Sequence, residues 1–164
     1  MILDSCCGGK IMYRGLDRNF NDNELIFIDI RQGKFSYKHP RFPKVTNVRP
    51  TIVADMQHLP FRDGVFSMVI FDPPHDKYGK RSYMALRYGS ISDEDYEALL
   101  ENVNSEFSRV LRPLGILLAK ISGARRKITM IELRNFRMLL DNAYWSKAYH
   151  CRKKTHWIHF VKRI

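Results

Sequence analysis

Cysteine is scarce in this chain, and its pattern excludes more than it supports. The three cysteines are Cys6, Cys7 and Cys151. Adjacent cysteines rarely pair with each other, and an odd count is no disulfide framework. There is no C-x-x-C, so a structural zinc site is not expected. The expected setting is a reducing cytoplasm. No apolar run approaches the ~20 residues of a membrane span, so no membrane partner is expected. The opening MILDSCCGGK lacks the basic-then-apolar order of a signal peptide. Two nucleotide-binding fingerprints are missing as well. Without G-x-G-x-x-G a nicotinamide enzyme loses its main support, and without G-x-x-x-x-G-K-S/T so does a P-loop NTPase. Lys10 follows Gly9, but at the wrong spacing for the latter.

Acids are missing from two long stretches. Residues 31–50 (RQGKFSYKHPRFPKVTNVRP) and 142–164 each carry six Lys/Arg and no Asp or Glu, within a net charge of +11. Aromatics interleave with these bases: Phe35, Tyr37, Phe42, Tyr149 and Trp157. That combination suits a polyanion, most simply nucleic acid, although an acidic protein would also fit. The candidate contacts are Lys38, Arg41, Lys44, Lys80, Arg81 and Arg87.

What is present reads as one α/β domain spanning residues 1–164. Short apolar runs at 1–3, 25–30, 52–54, 68–71 and 116–121 have the character of strands buried on both faces. Between the last two lies a helix. Ser92 is its N-cap, Asp93, Glu94 and Asp95 favour its dipole, and Tyr96, Leu99, Leu100, Val103, Phe107, Val110 and Leu111 share one face. A second helix is expected from Thr129 to about Leu140. Alternation at Trp157, Ile158, Phe160 and Val161 predicts a last, antiparallel strand after a basic turn at 152–154. Residues 31–51, with three prolines and no helical period, are expected as a long basic loop, and 76–91 as a substrate-facing lid or an ordinary surface loop. The sheet is therefore mainly parallel, with few helices in the N-terminal half.

Four successive strands end in Asp: MILD, LIFID, TIVAD and MVIFD. In an open parallel sheet the carboxyl ends form the ligand crevice, which would gather Asp4, Asp29, Asp55 and Asp72. An acid at the end of the second strand can accept both ribose hydroxyls. Ser5, Cys6, Cys7, Gly8 and Gly9 leave room for close backbone approach. After Asp72, Pro73 and Pro74 leave the sheet as a stiff, extended segment.

The series LDSCCGG, FIDI, VADMQHLPFRDGVFSMVIFDPPH and RVLRPLGILL resembles class I S-adenosylmethionine-dependent methyltransferases, with a Rossmann-like fold. FDPPH is similar to the Asp-Pro-Pro-Tyr type of motif found in enzymes that methylate exocyclic or amide nitrogens. The whole chain resembles small stand-alone methyltransferases of phages and prophages. The resemblance implies S-adenosylmethionine as cofactor. It gives Asp4, Ser5, Cys6 and Gly8 to the methionine part, Asp29 to the ribose, and Asp55 and Met56 to the adenine, with Ile30 a further cofactor contact. It gives Asp72, Pro73, Pro74 and His75 to the substrate amine. Lys10 stands where the family usually has another glycine, and His75 where it more often has Tyr.

The implied activity is methyl transfer to an exocyclic amine, adenine in DNA or RNA first. A catalytically inactive nucleic-acid-binding module and a protein amide N-methyltransferase stay open. The histidines show no metal-ligand spacing, so no metal is expected. Cys6 and Cys7 read as small buried loop residues, and Trp157 as core. The residues leave the oligomeric state undetermined.

Overall fold

The computed structural model describes residues 1–13, 24–38, 43–74, 82–145 and 154–164. Among them, seven strands form one sheet in the order β5-β2-β1-β6-β7-β9-β8. These are β1 (Ile2–Asp4), β2 (Leu25–Asp29), β5 (Ile52–Val53), β6 (Phe66–Phe71), β7 (Leu111–Ser122), β8 (Phe136–Trp145) and β9 (Lys154–Lys162). The pairs from β5 to β7 are parallel. β9 runs antiparallel to both β7 and β8, so the last strand has the expected direction. From β1 the chain moves outward through β2 to β5, then returns to place β6 on the other flank of β1. That reversal is the topological switch point, where open α/β sheets bind ligands.

The middle helix forms as its sequence dictates. α2 (Asp93–Val110) begins at Ser92, whose hydroxyl accepts from the Asp95 amide at 3.1 Å. Its buried residues include Tyr96, Leu99, Leu100, Val103, Phe107 and Val110. Phe107 meets Phe71 of β6 edge-on, with ring centroids 5.3 Å apart. Fully burying a side chain of this kind contributes about 1.5–3 kcal/mol, so this one face anchors α2 to the sheet.

Three expectations require correction. Residues 31–51 are not a long loop. They hold an antiparallel hairpin of β3 (Gly33–Tyr37) and β4 (Lys44–Val48), paired from Gly33↔Val48 to Tyr37↔Lys44. Pro43 and Pro50 flank β4 instead of breaking it. Thr46 and Val48 turn inward while their neighbours stay exposed, a period of two. Within 76–91, residues 83–88 are helical: α1 (Tyr83–Tyr88) is capped by Ser82 and ends at Gly89. The helix expected from Thr129 to Leu140 is α3 (Arg126–Glu132), shorter and earlier. Phe136, Leu139 and Leu140 belong to β8, which pairs with β9 from Phe136↔Lys162 to Trp145↔Lys154 with a register shift at Leu139. The basic turn at 152–154 falls largely outside the described residues. No helix of the described residues is long and apolar enough to cross a membrane.

Candidate active site

The carboxyl ends of β1, β2 and β6 open onto a cavity of about 510 Å³. Asp4 closes β1 and is 1% exposed. The Cys6 amide donates to its Oδ1 at 3.1 Å, and the Tyr13 hydroxyl to its Oδ2 at 2.9 Å. Burial pushes the Asp4 carboxyl up to about 6. Those two hydrogen bonds hold the rise down, and the Asp72 and Asp29 charges add to it.

The turn after Asp4 is stitched to both neighbouring strands. The Ser5 amide and hydroxyl donate to the Ile70 carbonyl of β6 at 3.0 and 2.9 Å. The Cys7 amide donates to Ile28 of β2 at 2.9 Å. Gly8 takes a φ of +49°, a conformation that favours glycine. Lys10 adopts the same region with a φ of 51°, which a further glycine would suit better. Its ammonium lies 3.8 Å from the Phe27 ring centroid, a cation–π contact that offsets part of the backbone cost. Burial pushes the Cys6 thiol well up and the Cys7 thiol up to about 12, so neither is a thiolate at neutral pH.

Asp29 closes β2 with its acceptors fully engaged. Arg31 grips it through Nε at 3.0 Å and Nη2 at 3.2 Å. The Arg31 and Gly8 amides add bonds of 2.9 and 3.0 Å. Four donors match the roughly four lone-pair sites of a carboxylate. Ile30 is exposed beside it and lines the cavity. The expected gathering of four acids is realised for three of them. Asp55 lies two residues beyond β5 and caps its own turn, accepting from the Gln57 amide at 2.9 Å. Its neighbours Ala54 and Met56 line the cavity in its place.

Asp72 follows β6 directly. Its amide donates to Cys6 Sγ at 3.2 Å, and Lys120 Nζ donates to its Oδ2 at 2.7 Å. Asp72 and Pro74 line the cavity, and Pro73 between them in sequence is buried. Gly89, at a φ of +82°, lies so near that a Cβ on it would sit 3.0 Å from Pro74 Cγ. His75, Arg41, Lys80 and Arg81 lie outside the described residues. Lys38 and Lys44 are exposed on the hairpin. Lys44 Nζ stands 4.5 Å from the Tyr83 ring centroid, and Tyr37 meets Tyr83 at 5.9 Å. Arg87 is not on an outer face: it lines the cavity.

Lys120, Arg31 and Trp157 line the same cavity, and sequence reasoning did not single them out as site residues. Trp157 pairs with Lys120 across β7 and β9. A charge near the end of the apolar run ILLAKI was the available signal for Lys120.

No protein-family model matches the chain, and no curated protein sequence matches it. Solved structures do, over nearly its whole length. A SAM-dependent methyltransferase from Methanosarcina mazei superposes with a TM-score of 0.54 at 14% identity, covering 99% of this chain and 92% of its own. The N-methyltransferase NodS from Bradyrhizobium japonicum WM9, in complex with S-adenosyl-L-homocysteine, gives 0.60 at 11% identity, covering 99% and 78%. The fold is that of the S-adenosylmethionine-dependent methyltransferases. At such identities the likeness is one of fold alone. The cyclase SpnF, with a TM-score of 0.60 at 14% identity over 99% of this chain and 74% of its own, makes the same point. A methyltransferase-type fold does not dictate the reaction, so the chemistry must be argued from the site.

Proposed function

We propose that this chain is a methyltransferase that moves the methyl group of S-adenosylmethionine onto an exocyclic amine, that of adenine in DNA or RNA. The observation that carries this reading is the cavity at the switch point, walled by Asp4, Asp29 and Asp72, with two prolines after the last. Its volume falls within the range of cofactor pockets. The residues fit the group. Asp4 suits an ammonium, and the turn from Ser5 to Gly9 admits close backbone approach. Asp29 suits the ribose hydroxyls once Arg31 yields. Ala54 and Met56 offer an apolar wall to the adenine ring.

When bound, the cofactor supplies a methyl group on a positively charged sulfur. The chain's own task is to prepare the nitrogen. An aromatic amine is a poor nucleophile because its lone pair is delocalised into the ring. The Asp72 carboxylate and the Pro73 carbonyl, accepting its two N–H bonds, favour a tetrahedral nitrogen and stabilise the charge that develops on it. As the new N–C bond forms and the methyl–sulfur bond breaks, the proton shed by the nitrogen would pass to the Asp72 carboxylate and from it to solvent. Lys120 aims that carboxylate, and the prolines hold the segment still. Orienting the nitrogen towards the methyl group supplies much of the remaining acceleration. A base in a duplex must be flipped out to reach this cavity. The exposed bases of the hairpin, beside Tyr37 and Tyr83, offer a polyanion contact and stacking surfaces.

One observation favours the non-catalytic nucleic-acid-binding alternative: all the acceptors of Asp29 are already engaged. Titration calorimetry with S-adenosylhomocysteine separates the two readings, since the methyltransferase binds it and the inactive module does not. Absence of binding at millimolar ligand refutes the methyl-donor reading. Tritium transfer from labelled cofactor to DNA, RNA and protein pools then tests the acceptor. Undiminished labelling by Asp72→Ala would remove Asp72 from its role. Label confined to the protein pool would favour the amide alternative. Nucleic-acid affinity should fall steeply between low and moderate salt.

A further inference from the structure

Among the described residues, six charged ones line the cavity: Asp4, Asp29, Asp72, Arg31, Arg87 and Lys120. Four of them form two ion pairs, Asp29 with Arg31 at 3.0 Å and Asp72 with Lys120 at 2.7 Å. Asp4 and Arg87 are left over. The hydrogen-bond partners of Asp4, the Cys6 amide and the Tyr13 hydroxyl, are uncharged. Among the described residues, Arg87 has no salt bridge, and its Nε is shut off from solvent without a hydrogen-bond partner. Buried donors are rarely left unsatisfied, because they give up water for nothing in return.

One acid and one base without charged partners, in a single cavity, complement an α-amino acid zwitterion. We propose that Arg87 takes the α-carboxylate of the cofactor's methionine part, opposite Asp4 as the ammonium acceptor. This rests on the cofactor reading above and moves Arg87 from the expected nucleic-acid contacts into the cofactor site. The placement supports it. A Cβ on Gly8 would lie 3.6 Å from the Arg87 carbonyl, so α1 sits directly on the glycine turn that follows Asp4. The guanidinium carbon lies 4.9 Å from the Tyr88 ring centroid and 5.7 Å from that of Tyr83, which restricts its orientation. A planar guanidinium held this way can meet a carboxylate with two parallel N–H bonds, which an ammonium cannot do.

The test is calorimetric binding of two ligands that differ only in the carboxylate: S-adenosylhomocysteine and S-adenosyl-3-thiopropylamine, its decarboxylated form. The wild-type chain should bind the first about tenfold or more tightly than the second. R87Q should weaken the first by about tenfold or more and change the second by less than about twofold. R87K keeps the charge without the fork, and should recover part of the loss for S-adenosylhomocysteine alone. Should R87Q lose its native circular dichroism, R87K decides: weaker S-adenosylhomocysteine binding with the decarboxylated ligand unchanged supports the assignment. Equal weakening of both ligands, or none, overturns it while leaving the cofactor reading intact. Weaker nucleic-acid binding by R87Q with unchanged cofactor affinity also overturns it. If the wild-type chain binds neither ligand, the cofactor reading falls and this assignment with it.

Discussion

Replacing Asp4 by Asn should make the protein more stable at neutral pH and disable cofactor binding. Asp4 is 1% exposed and, among the described residues, forms no salt bridge, and burial lifts its carboxyl from 3.8 to about 6. The folded chain therefore holds this proton more tightly than the unfolded chain does. The stability conferred by the protonated form is fully present below about pH 4 and is lost as pH rises through about 6. The shift corresponds to about 3 kcal/mol at neutral pH. Asparagine keeps the hydrogen bonds, because its Oδ1 can accept from the Cys6 amide and its NH₂ can donate to the Tyr13 oxygen. Urea unfolding of both proteins at about pH 4 and about pH 7.5 measures the effect. Asp4→Asn should gain about 2–3 kcal/mol at the higher pH and less than about 0.5 at the lower. Glu106 and Asp141, whose carboxyls are held low by Arg109 and by His156 with Arg126, titrate alike in both proteins and cancel in the difference. A difference independent of pH, or a less stable variant at about pH 7.5, would refute the reasoning. In the wild-type chain, S-adenosylhomocysteine affinity should rise with pH up to about 6 and level off above it, because its ammonium needs the ionised carboxylate.

Asp72→Asn should cut methyl transfer by about a hundredfold or more while leaving S-adenosylhomocysteine affinity within about threefold; equal losses in both would place Asp72 in the cofactor site instead. Arg31→Met frees the Asp29 carboxylate and should tighten adenosine and S-adenosylhomocysteine binding by about threefold to tenfold, read by calorimetry; weaker binding would make Arg31 a ligand contact in its own right. Gly89→Ala places a Cβ 3.0 Å from Pro74 at a φ of +82°, so it should cost about 1–3 kcal/mol in urea unfolding and reduce methyl transfer more than cofactor affinity. An unchanged unfolding midpoint would show that the α1 terminus yields freely.

The strand ends were legible because a buried strand cannot carry a carboxylate in its middle without cost, so an Asp after an apolar run marks where the sheet meets a crevice. The hairpin was not. Its strands, GKFSY and KVTNV, alternate against solvent with Lys, Ser, Thr and Asn, and a half-exposed polar strand reads much like a loop. Phe136, Leu139 and Leu140 match helical spacing as well as an edge strand. Pairing with β9, about two dozen residues later in the chain, decides between them, and no local propensity contains that information. The same limit hid the ion pairs. Asp72 and Lys120 are 48 residues apart, and only the adjacency of β6 and β7 brings them to 2.7 Å. Arg87 looked like one more base in a basic chain until α1 closed on the glycine turn.

The two ion pairs change what binding at this site entails. A ribose reaching Asp29 exchanges with a guanidinium; it does not fill an idle acceptor. Its neutral hydroxyls replace charge-assisted bonds, which are the stronger kind. The exchange is eased because Arg31 keeps another anchor, with Nη1 donating to the Leu86 carbonyl at 3.3 Å. A target amine at Asp72 meets the same condition, since Lys120 already holds Oδ2 and the amine must share or displace it. The pairs offset part of the cost of placing two carboxylates in a partly dry cavity before any ligand arrives. Among the described residues Asp4 has no such cation, and its raised carboxyl shows what that cost is when only uncharged donors offset it. An ammonium brought by the ligand would remove the cost at Asp4, and a carboxylate on the same ligand would satisfy Arg87. On this reading the amino-acid end of the cofactor contributes new charge pairs, while the ribose and the target amine mostly exchange partners. Discrimination between cofactor and bare nucleoside then resides at the end of the cavity formed by Asp4, Gly8 and Arg87.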